Sequence, residues 1–150
     1  MYSVREATPL DILLLGSVYE AYEEELEGYG GLIPDRDFAL GNLARTISDD
    51  AGILLLAFDG TKVVGFMWGS LAQMPWSPTL LAQDYLYYVH PDYRGKLIGK
   101  KLINSYVLLA QQKGAEYINL SIGSGINEQS TSKLIEHCGF SRLGTAFRRS

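Results

Sequence analysis

Apolar and polar positions along the chain follow two periods, one of two residues and one of three to four, and the switches between them outline the elements. Tyr2-Ser3-Val4-Arg5-Glu6-Ala7 alternates and predicts a strand. Thr8-Pro9-Leu10-Asp11 reads as a helix start. Thr8 can cap, Pro9 has no N–H to lose in the first turn, and Asp11 complements the positive helix end. Leu15, Val18, Tyr19, Tyr22 and Leu26 follow at helical spacing and define one buried face, ended by Gly28-Tyr29-Gly30-Gly31. A second helix runs from about Asp35 to Ser48, with Phe38, Leu40, Leu43 and Ile47 available to pack.

Ile53-Leu54-Leu55-Leu56-Ala57-Phe58 is a continuous apolar run, the pattern of a strand covered on both faces. Asp59-Gly60 is a hairpin signal, because both residues tolerate positive φ, and Val63–Trp68 is the antiparallel partner. A loop holding Pro75 and Pro78 leads to a strand at Tyr85–Val89. Ile98, Leu102, Tyr106 and Leu109 mark a helix that ends near Gly114. Tyr117–Ile122 is a strand, Asn127–Cys138 a short helix stopped by Gly139, and Phe140–Arg149 supplies one or two final strands. This order predicts an α/β domain with a mixed sheet: an antiparallel front half and a strand–helix–strand unit behind it.

A length of 150 residues, without repeat or linker, suits one domain with a real core. The net charge of −4 offers no basic face for nucleic acid. Cys138, the single cysteine, excludes an internal disulfide and reads as a small buried hydrophobe. Met1 to Arg5 opens no apolar leader, and no apolar run nears the ~20 residues that span a bilayer, so a cytoplasmic protein is expected. His90 and His137 lack metal-ligand spacing, and no metal is expected.

The chemistry concentrates in Tyr85 to Gly99, a strand that runs through a short turn into a helix start. First-turn N–H groups have no intrahelical partner and bind phosphate, and glycine lets the backbone approach closely. Arg94, Lys96, Lys100 and Lys101 add local positive charge to an acidic chain. A diphosphate ligand or a solvated basic helix start both fit these residues.

Val89-His90-Pro91-Asp92-Tyr93-Arg94-Gly95-Lys96, followed by Ile98-Gly99-Lys100-Lys101-Leu102, resembles the acyl-CoA signature of the GNAT superfamily of N-acetyltransferases. Arg94 and Gly99 match its ends, and Leu97 stands where the family has a middle glycine. Leu134-Ile135-Glu136-His137-Cys138-Gly139-Phe140 is similar to the family's late helix, and the element order agrees along nearly the whole chain. The resemblance implies a GNAT-like fold: a mixed, mostly antiparallel sheet of six to seven strands flanked by about four helices. It also implies an enzyme that moves an acetyl group from acetyl-CoA directly to a primary amine, on a small molecule or a protein.

By the same resemblance, backbone groups of Tyr87, Tyr88 and Val89 would hold the pantetheine arm. Arg94, Gly95, Lys96, Leu97, Ile98, Gly99 and Lys100 would hold the pyrophosphate. Asn127 would contact the arm from the late helix, with Glu128 competing for that position. Asp84 is the only acid on or beside the strand and is the candidate base; an exposed aspartate at a strand entrance is the other reading. Tyr85, Tyr87 and Tyr88 line an acceptor pocket or pack against helices. The family's thiolate acid is a tyrosine, and its position here is Ile135. Glu20, Glu23, Glu24, Glu25 and Glu27 read first as a solvated face, and second as an attractor for a cationic amine. Leu97 and Ile135 also feed an alternative: a weak or inactive protein of this fold that binds acyl-CoA or a partner protein and regulates. A monomer and a homodimer both fit. No P-loop or Gly-x-Gly-x-x-Gly follows a predicted strand, which disfavours an unrelated nucleotide-binding domain.

Overall fold

The computed structural model describes residues 1–26, 32, 34–122 and 128–149. Its strands are β1 (Tyr2–Glu6), β2 (Gly52–Asp59), β3 (Lys62–Gln73), β4 (Leu80–Val89) and β5 (Tyr117–Asn119), and they form one sheet in chain order. Pairing is antiparallel from β1 through β4 and parallel between β4 and β5. The helices are α1 (Ile12–Leu26), α2 (Arg36–Ser48), α3 (Leu97–Gln112) and α4 (Glu128–His137). Parallel neighbours need a crossover, and α3 supplies it between β4 and β5.

Both faces of the sheet are covered, so β2 is buried along nearly its whole length, as its unbroken apolar run demands. Leu54, Leu56 and Phe66 turn toward α1 and α2, where Leu15, Val18, Tyr19, Tyr22 and Leu43 meet them. Ile53, Leu55, Ala57, Val64 and Met67 turn to the other face and pack on Ile98, Leu102 and Tyr106 of α3. Period two in the strands and period 3.6 in the helices therefore make two apolar layers. Gly60, at φ +60°, turns β2 into β3.

Several expectations are corrected. The sheet has five strands among the described residues, because Phe140–Arg149 forms none. A strand needs a ladder, and β5 pairs over only three residues; Leu143 and Phe147 lie exposed instead. β5 stops at Asn119 rather than Ile122, while β4 begins five residues before Tyr85. In α2 the buried face runs through Ala39 and Leu43, with Leu40 and Ile47 half-buried, so Phe38 falls one position off it and is exposed. The glycine-rich end expected for the first helix lies outside the described residues.

The Thr8–Asp11 start folds as a short 3₁₀ turn, Pro9–Asp11, in which Asp11 collects the local donors. Its carboxylate accepts from the Thr8 N–H (2.6 Å), the Thr8 hydroxyl (3.0 Å) and both Arg5 guanidinium nitrogens (2.7 and 2.9 Å). Arg5 lies over the Phe58 ring at 4.6 Å, so this buried acid ties β1 and the entry to α1 to the sheet. The Arg5 hydrogen bonds hold the Asp11 carboxyl far below the usual carboxylate range, against burial. A depressed folded-state pKa gives stability that is complete above the unfolded value, near 3.9, and is lost as pH falls below it. Asp11→Ala is expected to lower unfolding free energy by roughly 2–3 kcal/mol at pH 7, measured in urea, with a smaller deficit at pH 3.

Candidate active site

The site begins where two strands part. β4 pairs with β5 only from Leu81 to Gln83, against Tyr117 to Asn119, and then continues to Val89 with β3 alone. The His90 N–H donates to the Val64 carbonyl at 2.8 Å. Antiparallel pairing alternates, so Tyr88 and Leu86 also turn their backbone groups to β3, while Tyr87 and Val89 turn theirs to the gap. The gap widens into a cleft of about 730 Å³, lined by β4 from Tyr85 to Val89, the turn from Tyr93 to Lys96, Gly99, Ser121, Ile122, and Ser130, Thr131 and Leu134 of α4. Tyr22 and Leu26 of α1 close it on one side.

At the cleft's far end the chain enters α3. A short 3₁₀ turn, Pro91–Tyr93, is held by an Asp92 N–H bond to His90 Nδ1 (3.2 Å) and by the Tyr93 hydroxyl donating to Asp59 (3.1 Å). Gly95 follows at φ +75°, a conformation that favours glycine. No side chain caps α3 at Lys96, so its first-turn N–H groups are left for an anion. Leu97 is 75 % exposed and outside the cleft lining, and Ile98 is buried in the core, so these two offer the cleft only backbone. Gly99 lines it, and a Cβ there would stand 2.7 Å from the Tyr87 hydroxyl and 3.2 Å from Leu134. The missing side chain at Gly99 thus lets Tyr87 and Leu134 pack against the helix backbone. Lys96 lines the cleft with its ammonium 5.4 Å from the Tyr93 ring centre; Lys100 is exposed on α3 and not part of the lining.

The Arg94 side chain has a partner that its sequence context did not announce. Its guanidinium makes two hydrogen bonds to Glu25 of α1, at 2.7 and 2.8 Å, and Nε donates to the Val89 carbonyl at 2.8 Å. The Tyr88 hydroxyl donates to the same Glu25 carboxylate at 3.2 Å. Glu25 is therefore not part of a solvated face. Glu23 also pairs, with Arg36 at 3.3 Å, and Glu27 lies outside the described residues. The only sequence hint for Glu25 was its place in an acid cluster on a helix that must pack on the sheet.

Asp84 is not itself part of the cleft lining, but Tyr85, its chain neighbour, and Ser121, which donates to it, both are. It lies within β4, where the register shifts between Trp68 and Gly69 and leaves Tyr85 as the extra residue. The bulge puts Asp84 on the α3 side with Ala82, while Tyr85 reaches Ser70 with its hydroxyl at 2.6 Å. Ser121, just past the end of β5, donates to Asp84 Oδ1 through its N–H (3.0 Å) and its hydroxyl (3.2 Å). Burial outweighs these bonds and pushes the carboxyl up to about 6. Tyr87 and Tyr88 line the cleft and also pack in the two apolar layers; burial raises both phenols, which stay neutral. Asn127 lies outside the described residues, and Glu128 opens α4 on its exposed side. Ile135 is absent from the lining, whereas Ser130 and Thr131, which sequence reasoning passed over, are part of it. Cys138 is half-buried, its thiol pushed up by burial. Among the described residues no cluster of His, Cys, Asp and Glu is placed to hold a metal, and no helix is long and apolar enough to cross a membrane.

A strand parted from its neighbour thus lies beside an uncapped, glycine-opened helix start. The sequence profile described as "Acetyltransferase (GNAT) family" matches residues 17–140, and the chain belongs to that family. It is 31% identical over 107 residues to mycothiol acetyltransferase from Propionibacterium freudenreichii subsp. shermanii, covering 71% of this chain and 33% of that protein. The chain thus spans about a third of the length of that curated relative. Among solved structures, AAC(6')-Iy in complex with the bisubstrate analog CoA-S-monomethyl-acetylneamine superposes with TM-score 0.78 at 16% identity, covering 100% of this chain and 98% of that one. The ribosomal-protein-alanine N-acetyltransferase of Brucella melitensis biovar Abortus 2308 gives TM-score 0.73 at 19% identity, with 100% and 99% covered. An aminoglycoside acetyltransferase from an uncultured soil metagenomic sample, in complex with sisomicin, gives 0.76 at 17%, with 99% and 95% covered.

The Arg94–Glu25 pair is half-buried and bidentate, a geometry that a lysine cannot reproduce. A double-mutant cycle of Glu25→Ala and Arg94→Ala is expected to give a coupling of roughly 1–2 kcal/mol in urea unfolding, with Arg94→Lys recovering less than half of it.

Proposed function

We propose that this chain transfers an acetyl group from acetyl-CoA directly to a primary amine, carried by a small molecule or a protein. The observation that carries this reading is the continuity of one cleft, from the α3 first turn along the unpaired edge of β4 to the neighbourhood of Asp84. The residues present fit acetyl-CoA. The uncapped turn after Gly95 and the Lys96 ammonium suit its pyrophosphate, and Gly99 presents bare backbone to the cleft. The backbone groups of Tyr87 and Val89 suit the amide-bearing pantetheine arm. Leu97 does not impede this, because its side chain leaves the cleft. That placement favours an active enzyme over a binding-only protein.

Bound acetyl-CoA supplies the thioester carbonyl; the chain supplies the rest. A β4 N–H aimed into the gap stabilises the charge that develops on the carbonyl oxygen, without reorganising. Asp84 takes the proton of the incoming ammonium at Oδ2, since both Ser121 donors converge on Oδ1. A carboxyl lifted to about 6 is a better base than an ordinary aspartate and is still ionised at pH 7. With Ile135 away from the cleft, the thiol, of pKa ~8.5, leaves as its anion.

Acetyl-CoA at 100 times its Kd is expected to stabilise the protein by ~2.7 kcal/mol in thermal unfolding, with ATP and NAD giving no shift. Absence of any CoA effect would defeat the reading. Asp84→Asn is expected to lower kcat ~10²–10⁴-fold and to abolish the acidic limb of the kcat/KM profile, which falls near pH 6 in the wild type. An Asp84→Asn enzyme with that limb intact would exclude Asp84 as the base.

A further inference from the structure

The cleft wraps around the β4 edge and so has two sides. Side chains alternate along a strand, which sends Tyr87 and Val89 to the α3 layer and Leu86 and Tyr88 to the α1 layer. The α3 side carries the uncapped helix start and Lys96, which suit the pyrophosphate of acetyl-CoA. Across the edge stands a wall of Tyr22, Leu26, Leu32, Tyr85, Leu86 and Tyr88. None of these side chains carries a charge: burial raises the Tyr22 and Tyr88 phenols, which stay neutral.

The wall is held in place by contacts within the fold. Tyr22 meets Tyr88 edge-on at 5.5 Å and Phe66 at 6.0 Å, a fixed aromatic group of the α1 layer. Tyr85 is tied to Ser70 through its hydroxyl at 2.6 Å and stands edge-on to Trp68 at 5.7 Å, yet it is 57 % exposed. Leu32 is 71 % exposed. Both belong to the cleft lining, so apolar surface stands uncovered at the site itself.

Charge points the same way. Among the described residues no Asp or Glu lines the cleft, and its charged lining residues, Arg94, Lys96 and Arg148, are all basic. Glu25 touches two lining residues, but its carboxylate already accepts from both Arg94 nitrogens and from the Tyr88 hydroxyl. A desolvated charge needs a partner. An acceptor with several ammonium groups would bring its spare charges beside like charges, with no carboxylate among the described lining residues to meet them. An acceptor with one amine on an apolar body would instead bury that body against the wall.

We propose that the acceptor is a monoamine with an apolar, ring-bearing body, seated on the α1 wall with its amine directed at the thioester across the β4 edge. The nitrogen gives its proton to the base and forms the C–N bond with its lone pair. The C–S bond breaks as it does so, and sulfur leaves with the electron pair as the CoA thiolate. The product is an uncharged amide, which suits an uncharged wall. The turnover part rests on the acetyl-transfer reading; binding of the amine does not, and the test separates the two.

The test compares 2-phenylethylamine, ethylamine and spermidine as acceptors with acetyl-CoA. For 2-phenylethylamine kcat/KM is expected to exceed that for ethylamine at least about tenfold, the low end of what one fitted methylene is worth, with spermidine below 2-phenylethylamine. Leu32→Asp, at an exposed position, is expected to raise KM for 2-phenylethylamine roughly tenfold and leave KM for acetyl-CoA unchanged. Equal kcat/KM for 2-phenylethylamine and ethylamine would overturn the proposal while the transferase reading stands, and so would a preference for spermidine. Binding is read without turnover in thermal unfolding. There 2-phenylethylamine is expected to raise the melting temperature of the wild type more than that of Leu32→Asp, at concentrations where ethylamine gives no shift; no shift in the wild type would overturn the proposal. If 2-phenylethylamine gives that Leu32-dependent shift while no CoA species gives any, the acetyl-transfer reading fails and the apolar amine site stands.

Discussion

Half of the β4 edge is left without a partner strand, and most of the site follows from that. Backbone N–H and C=O groups demand partners, and a strand usually finds them on both sides within a sheet. β5 satisfies β4 over three residues and then leaves, while β3 stays with it to Val89. What remains is a row of oriented donors and acceptors beside a cleft, held rigid from behind by the longest ladder among the described residues. An extended, amide-bearing ligand can take the place of the departing strand. Rigidity matters here, because a hydrogen-bond donor aids catalysis only to the extent that it is already aimed.

Arg94 and Glu25 join this edge to the helix across from it. The guanidinium spans the Val89 carbonyl and the α1 carboxylate, and the Tyr88 hydroxyl completes the set, so strand, turn and α1 meet at one group. The positive charge on the turn is thus partly neutralised within the fold. Arg94 is engaged internally, while Lys96 and Arg148 also line the cleft. Tyr22 and Leu26, on the same helix as Glu25, wall the cleft. The same ion pair thereby fixes the α1 wall of the cleft relative to the α3 turn. Both partners are half-buried, which strengthens their attraction but makes loss of either one costly.

The elements with one strong period were legible in the sequence. β2 could be read from its unbroken apolar run, the β2–β3 turn from Asp59-Gly60, and α3 from Ile98, Leu102 and Tyr106. The Val89–Gly99 segment identified the family because turn, glycine and helix start are encoded within one short stretch of chain. Long-range events were not legible. A bulge is a mismatch between two strands, so neither β3 nor β4 alone shows that Tyr85 is the extra residue or that Asp84 lies mid-strand. The Glu25 partner is 69 residues from Arg94, and local spacing cannot report it. The apolar residues of Phe140–Arg149 suggested strands, yet a strand exists only where a neighbour offers a ladder, and β5 is too short to offer one.

The two departures from the family signature carry different physical weight, and the structure separates them. A glycine in a phosphate-binding turn serves either positive φ or close approach. Leu97 is met by neither demand: the positive φ falls on Gly95, and the close approach falls on Gly99, where a Cβ would meet Tyr87 and Leu134. With its side chain turned to solvent, Leu97 keeps the N–H that the helix start presents. Ile135 is a real chemical loss, since no phenol takes its place on α4. That loss falls on the step that needs help least, because a thiol leaves readily as its anion near neutral pH. Proton removal from an ammonium is the harder demand, and the proposed base, Asp84, is held by Ser121, which lines the cleft beside it.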